Sequence, residues 1–192
     1  LVWKYRKRIA ELTKKAYAPI KPLVDDLTSP LRAASFRRQR EEEIERLMRE
    51  YDPFADPFTT PAERTDAELA RVVYATFLAY LWLLDFQRKE TQTEYAFAEW
   101  LAETTPLNPR DIWFITRACA HGQYAAEGFM PADKAQLQTA VASFIADATA
   151  RVPAVARVEK MARYRRMIAE QLFDARMAVR EGRPATDDEL TV

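Results

Sequence analysis

Thr65-Asp66-Ala67-Glu68-Leu69-Ala70-Arg71-Val72-Val73-Tyr74-Ala75-Thr76-Phe77-Leu78-Ala79-Tyr80-Leu81-Trp82-Leu83-Leu84 decides the fold class of this chain. Leu69, Val72, Val73, Thr76, Phe77, Tyr80, Leu81 and Leu84 recur three or four apart, the spacing of one helical face. Trp82, Leu83 and Phe86 widen that stripe almost all round, so the segment reads as a central helix over about 66–88. Thr65 and Glu68 have the spacing of a capping box, in which hydroxyl and carboxylate satisfy two backbone amides at a helix start.

Three more start signals follow. Thr91-Gln92-Thr93-Glu94 repeats the capping-box spacing and predicts a helix over about 92–103, with Tyr95, Ala98 and Ala102 on one side and Phe97, Trp100 and Leu101 beside it. Asn108-Pro109 supplies a cap and a first-turn proline for a helix over about 109–127, with Ile112, Ile115, Cys119 and the Tyr124 region inward and Gly128 as its stop. Met130-Pro131 opens another to about Ala150 that buries Leu137, Val141, Phe144 and Ile145. Pro153 opens a basic helix to about Arg180, with Val155, Val158, Met161, Ile168 and Leu172 as partial anchors. The reading is all-α: a compact bundle of about four core helices, with an N-terminal helical juxtamembrane arm and a basic C-terminal helix. Its parts are the arm at 1–51, a linker at 52–64, the core at 65–150, and the C-terminal helix and tail at 151–192.

In the arm, Pro19, Pro22 and Pro30 are expected to break the chain before a charged helix over about 31–51. Arg37 with Glu41 and Arg38 with Glu42 are four apart and read as a solvated face in preference to a lipid or partner surface. The linker repeats Asp-Pro-Phe at 52–54 and 56–58. Residues before proline avoid the α region, which predicts an extended segment. Its two Phe rings either dock on the core or serve as a linear motif; docking is favoured, because exposed Phe pairs promote aggregation.

The 192 residues are 48% apolar, enough for a core, and carry no net charge. The charge is uneven. Residues 1–51 hold 13 Lys/Arg against 8 Asp/Glu, residues 52–150 hold 7 against 14, and residues 151–192 hold 9 against 7. An acidic middle argues against nucleic acid as a partner, since phosphate binding needs concentrated positive charge. The opening Leu1-Val2-Trp3-Lys4-Tyr5-Arg6-Lys7-Arg8 has the look of a flank that follows a membrane span, with Trp3 and Tyr5 at the headgroups and Lys4, Arg6, Lys7 and Arg8 on the cytoplasmic side. An ordinary basic helix start is the other reading.

Candidate chemistry is sparse. Cys119 is the only cysteine and His121 the only histidine. On a helix they point about 200° apart, so they do not grip one metal. Ser29, Ser35 and Ser143 lack an elbow motif. The carboxylates Glu94 with Glu99, and Asp85 with Glu90, read as surface charge. No catalytic residue, cofactor site or metal site is assigned, and the chain is not expected to be an enzyme.

Thr91-Gln92-Thr93-Glu94-Tyr95-Ala96 resembles the Thr-Pro-any-Glu-(Phe/Tyr)-Ala box of the bacterial domain of unknown function 4129. That helical domain is found at the cytoplasmic C-terminus of transglutaminase-like and related membrane proteins. The Asp-Pro-Phe linker, the long aromatic helix, the Tyr124-Ala125 pair and the proline-led helix from Pro131 extend the likeness over roughly 52–148; Gln92 stands where the family has proline. The resemblance implies a non-catalytic cytoplasmic domain of a bacterial inner-membrane protein, serving protein interaction or regulation. The alternative is a structural spacer or dimerisation domain, with a homodimer through residues 31–51 and 153–180. Implied partners are the membrane surface and an unidentified protein, with MoxR-type ATPase systems pointed to. Thr91, Glu94, Tyr95 and Tyr124 are the motif residues. The two tyrosines are expected to be buried pins bonding across helices, so that Tyr95→Ala would cost more than roughly 1.5 kcal/mol; a peptide- or ligand-binding role is the alternative.

Overall fold

A computed structural model describes residues 21–59, 64–124, 129 and 131–180, and the side chains of all of these except 21–32 and 131. The described residues are all-helical, with no strand. The helices are α1 Lys21–Glu50, α2 Asp66–Leu83, α3 Glu94–Thr104, α4 Pro109–Tyr124, α5 Pro131–Ala150 and α6 Ala154–Arg180. Backbone contacts divide the chain into a unit of residues 1–46 and a unit of residues 47–192. No helix among the described residues is long and apolar enough to cross a membrane.

In the first unit, the helix does not break where the prolines predict. Pro22 falls in the first turn of α1, where an amide has no intrahelical acceptor to lose. At Pro30 the helix runs on, without the one ladder bond that a proline cannot donate. Of the expected charge pairs, Arg38 bonds Glu42 at 3.0 Å. Arg37 instead donates to the Ala33 carbonyl at 3.3 Å. Pro19 and the residues from Trp3 to Arg8 lie outside the described residues.

The second unit is built around α2. Its capping box forms as the sequence predicts: the Glu68 amide donates to Thr65 Oγ1 at 3.2 Å, and the Thr65 amide to Glu68 Oε2 at 2.8 Å. Val73, Phe77, Leu81 and Leu83 are almost wholly buried. Phe77 meets the Phe144 ring of α5 at 4.7 Å.

The helix stops at Leu83, five residues before the expected end at Arg88. The Asp85 amide donates to the Trp82 carbonyl and the Phe86 amide to the Leu81 carbonyl, both at 3.0 Å. That is the Schellman pattern, which needs a left-handed residue at its corner. Asp85 fills that place with φ 66°, a conformation that Asp tolerates better than most side chains. Lys160 of α6 seals the end, donating to the Leu83 carbonyl at 3.0 Å and to Asp85 Oδ2 at 2.7 Å.

The cap of α3 is Thr93, not Thr91: the Ala96 amide donates to Thr93 Oγ1 at 3.2 Å, and the helix starts at Glu94 rather than 92. Thr91 lies in the preceding turn, closed by the Gln92 amide on the Lys89 carbonyl. The sequence offers two threonines with a capping spacing, and the helix begins directly after the second. Asn108 caps α4 as expected, accepting from the Arg110 amide at 3.1 Å and donating to Asp111 at 3.0 Å. Met130 and Gly128 lie outside the described residues.

α6 is part of the core. Tyr164 and Ile168 belong to the buried cluster, with Met161, Met167 and Leu172 packed against it. Val155 and Val158, expected as anchors, are instead 84% and 69% exposed. Val155 lies about 180° round the helix from Tyr164, which with Ile168 faces the core.

Gly122 of α4 sits where a side chain has no room. A Cβ there would run into the Phe129 ring and stand 2.9 Å from Cβ of Ala70 on α2. Gly122→Ala is therefore expected to destabilise by about 1–3 kcal/mol, although alanine is the better helix former by about 1 kcal/mol. A thermal or denaturant melt at or above the native stability would contradict this close approach.

Candidate functional site

The Asp-Pro-Phe repeat forms two turns rather than an extended strand. In each, the amide of the fourth residue returns to the Asp carbonyl: Ala55 to Asp52 at 3.1 Å, and Thr59 to Asp56 at 3.2 Å. The Asp side chains also accept from the Phe amides, Asp52 from Phe54 at 3.0 Å and Asp56 from Phe58 at 2.9 Å. Proline at the second position of such a turn supplies the φ it needs, and aspartate at the first closes it.

The first turn is pinned to α6. Arg165 donates to Asp52 through Nε at 2.9 Å and Nη2 at 2.8 Å, a two-point fork across 113 residues. Its guanidinium lies 5.5 Å from the centre of the Phe54 ring, which is edge-on to Tyr80 at 5.3 Å and to Tyr164 at 5.5 Å. The Tyr80 hydroxyl reaches the Phe54 carbonyl by a long bond of 3.5 Å. Phe54 is buried and Phe58 half-buried against the core. Docking, not an exposed motif, describes both rings.

A second cross-chain tie joins the starts of α2 and α5. Asp66 accepts from the Phe129 amide at 2.7 Å and pairs with Lys134 at 2.6 Å. The Lys134 bond first, then the Phe129 amide, hold the Asp66 carboxyl below its ordinary value of 3.8. Burial pushes Asp52 up, but the Arg165 bonds, the Phe54 amide and the Arg165 charge together outweigh it and leave that carboxyl lowered too. A carboxyl lowered on folding contributes stability that is fully present above its unfolded value and lost as pH falls through its folded value. Thermal melts are thus expected to be flat above about pH 4 in this contribution and to drop on the acid side of 3.8. Asp52→Asn with Asp66→Asn should flatten that drop; an unchanged acid limb would contradict the assignment.

The predicted motif tyrosines lie at the surface. Tyr95 is 48% and Tyr124 79% exposed, so neither is a buried pin. The inward face of α3 consists of Phe97, Ala98 and Leu101, and Tyr95 lies outside it. Tyr95→Ala is now expected to change stability by less than about 0.5 kcal/mol, as exposed substitutions do; a loss above about 1.5 kcal/mol in denaturant melts would restore the packing role. Glu94 pairs with Arg88 at 3.8 Å, and Thr91 is exposed. Gln92 bridges the turn, with its amide nitrogen on the Ala96 carbonyl at 3.2 Å.

Cys119 is buried and His121 exposed, so the two do not share a face. Burial first and the Glu94 charge second push the Cys119 thiol well up, away from the thiolate that nucleophilic chemistry uses. The same two influences raise the Tyr74 phenol. Its hydroxyl and that of Thr116 are buried with no hydrogen-bond partner among the described residues. Among the described residues, no group of three or more His, Cys, Asp or Glu could hold a metal ion.

Two surface features remain. An open groove of about 660 Å³ is walled by Leu78, Trp82, Phe86, Tyr164, Met167 and Ile168. On α3, Trp100 is 39% exposed, stacked on Phe97 with ring centres 5.9 Å apart and T-shaped to Phe86 at 5.8 Å. Sequence reading placed Trp100 beside the inward face and counted Phe86, which supports it from outside the helix, in the apolar stripe of the preceding helix.

Comparison of the chain with protein-family models, with curated proteins and with solved structures finds no significant match.

Proposed function

We propose that this chain is a non-catalytic helical module that binds another protein, carried on the cytoplasmic side of a bacterial inner membrane. The observation behind the binding role is the outer side of α3. Tyr95 and Trp100, 48% and 39% exposed, are large rings that the core leaves to solvent, and aromatic residues are enriched where proteins meet. The placement of Cys119 and His121 agrees with a role outside catalysis. The membrane half of the proposal rests on the basic opening from Trp3 to Arg8 and on the resemblance to the membrane-tethered family. The same resemblance makes a MoxR-type ATPase system the first partner to test.

A photoreactive amino acid at position 95 or 100, in the full protein in its native membrane, tests the binding role. Expected is an adduct to a defined second protein from both positions and none from Glu159, on the outer side of α6. Equal labelling from all three positions would contradict it. Vesicles with anionic lipid test the anchor: binding should weaken with salt, at about 1 kcal/mol per basic residue near the surface. A homodimeric spacer is the second reading, favoured by the exposed Val155 and Val158. Light scattering that reports a dimer, converted to a monomer by Val158→Glu, would support it.

A further inference from the structure

We infer that the outer face of α3 is a docking surface for a basic, arginine- or lysine-rich protein segment; this rests on the protein-binding reading and names its partner class. With Phe97, Ala98 and Leu101 turned inward, helical geometry puts Glu99 and Glu103 at the centre of the opposite face. Tyr95 and Trp100 flank that centre, about 140° apart. Ala96 is the remaining residue between them, small enough for another backbone to come close. All five are exposed. The face is thus a ridge of two carboxylates between two aromatic rings.

Three observations favour a cationic occupant. No ion pair within the described residues engages Glu99 or Glu103, whereas Glu94 on the same helix has Arg88 and Asp85 nearby has Lys160. The two glutamates are four apart, a like-charge spacing that weakens a helix, and the last turn carries no basic residue to offset Glu103 at the negative end of the helix. The local sequence thus keeps charges that its own helix disfavours. The rings complete the match: Trp100 packs on Phe97 and Phe86 and is still 39% exposed, which leaves indole surface for a guanidinium or ammonium.

The test uses the full chain and a synthetic helical peptide of alanines with arginine at every fourth position, titrated at low and physiological salt. The Trp100 indole N–H resonance, assigned by Trp100→Phe, reports where the peptide sits. Expected are a shift of that resonance, weaker binding at higher salt, and about tenfold weaker binding to Glu99→Gln/Glu103→Gln. The control Glu159→Gln/Asp174→Asn, on α6, should stay within about twofold. Equal affinity for the two double variants, an unmoved Trp100 resonance, or equal binding of a peptide with glutamate in place of arginine would overturn the inference.

Cross-linking separates this from the broader reading. Adducts from positions 95 and 100 that survive Glu99→Gln/Glu103→Gln would leave a protein-binding module whose partner is not basic. No adduct at either position would overturn both. An adduct to residues 1–20 of the same chain would assign the face to its own basic opening and not to a separate partner.

Discussion

Phe77→Ala is expected to lower the stability of the protein by about 3–5 kcal/mol, the range for deleting a buried phenyl ring. Phe77 is 2% exposed and touches Phe144 of α5 at 4.7 Å and Tyr74 of its own helix at 5.9 Å. Its removal leaves a cavity between helices that are held by their caps and cannot easily close on it. A domain of ordinary stability has about 5–15 kcal/mol in total, so the variant should lose at least about a fifth of it. Urea titration measures this, and Phe77→Leu, which keeps most of the volume, should cost clearly less. A loss below about 1.5 kcal/mol for Phe77→Ala would place Phe77 outside the core.

Phe54→Ala is expected to cost a similar amount, about 3 kcal/mol or more, although residue 54 lies in no helix. The ring is 7% exposed, edge-on to Tyr80 and Tyr164, with the Arg165 guanidinium over it. Deleting it also loosens the clamp between Asp52 and Arg165, since the guanidinium loses the surface that orients it. Phe58→Ala, at the half-buried second turn, should cost distinctly less. Matching losses for the two would mean that the first turn has no special seat. A cost for Phe54→Ala under about 1 kcal/mol would return the segment to the role of a passive linker.

Much of the helix count was legible because helix starts are written locally. Thr65 with Glu68, and Asn108 with Pro109, satisfy amides within one turn, and the sequence shows both partners side by side. Where two local solutions compete, the sequence does not choose: Thr91 and Thr93 both precede a carboxylate-bearing turn, and Thr93 is the cap. The inward face of α3 was ambiguous for a related reason. Tyr95, Ala98 and Ala102 satisfy helical spacing as well as Phe97, Ala98 and Leu101 do, so only the neighbouring helices decide. The early end of α2 was hidden by Phe86, which continues the apolar stripe while the backbone turns at Asp85.

The ties that organise the second unit were not legible at all. Asp52 with Arg165, Lys160 with Asp85 and Asp66 with the Phe129 amide span 113, 75 and 63 residues. No periodicity or spacing rule reaches that far. Val155 and Val158 misled for the opposite reason, since apolar spacing near a helix start resembles an anchor whether or not a core lies opposite. The outer face of α3 was present in the sequence only as scattered glutamates and rings; it takes the inward direction of the helix to assemble them.

Native-state hydrogen exchange tests whether α2, α6 and the Asp-Pro-Phe turns open as one cooperative core. Amides around Tyr164 to Ile168 should be protected as strongly as those around Val73 to Leu81, and Arg165→Ala should lower both by the same amount, because one opening exposes both. Exchange of α6 by a local opening of much lower free energy, with α2 unaffected by Arg165→Ala, would contradict it.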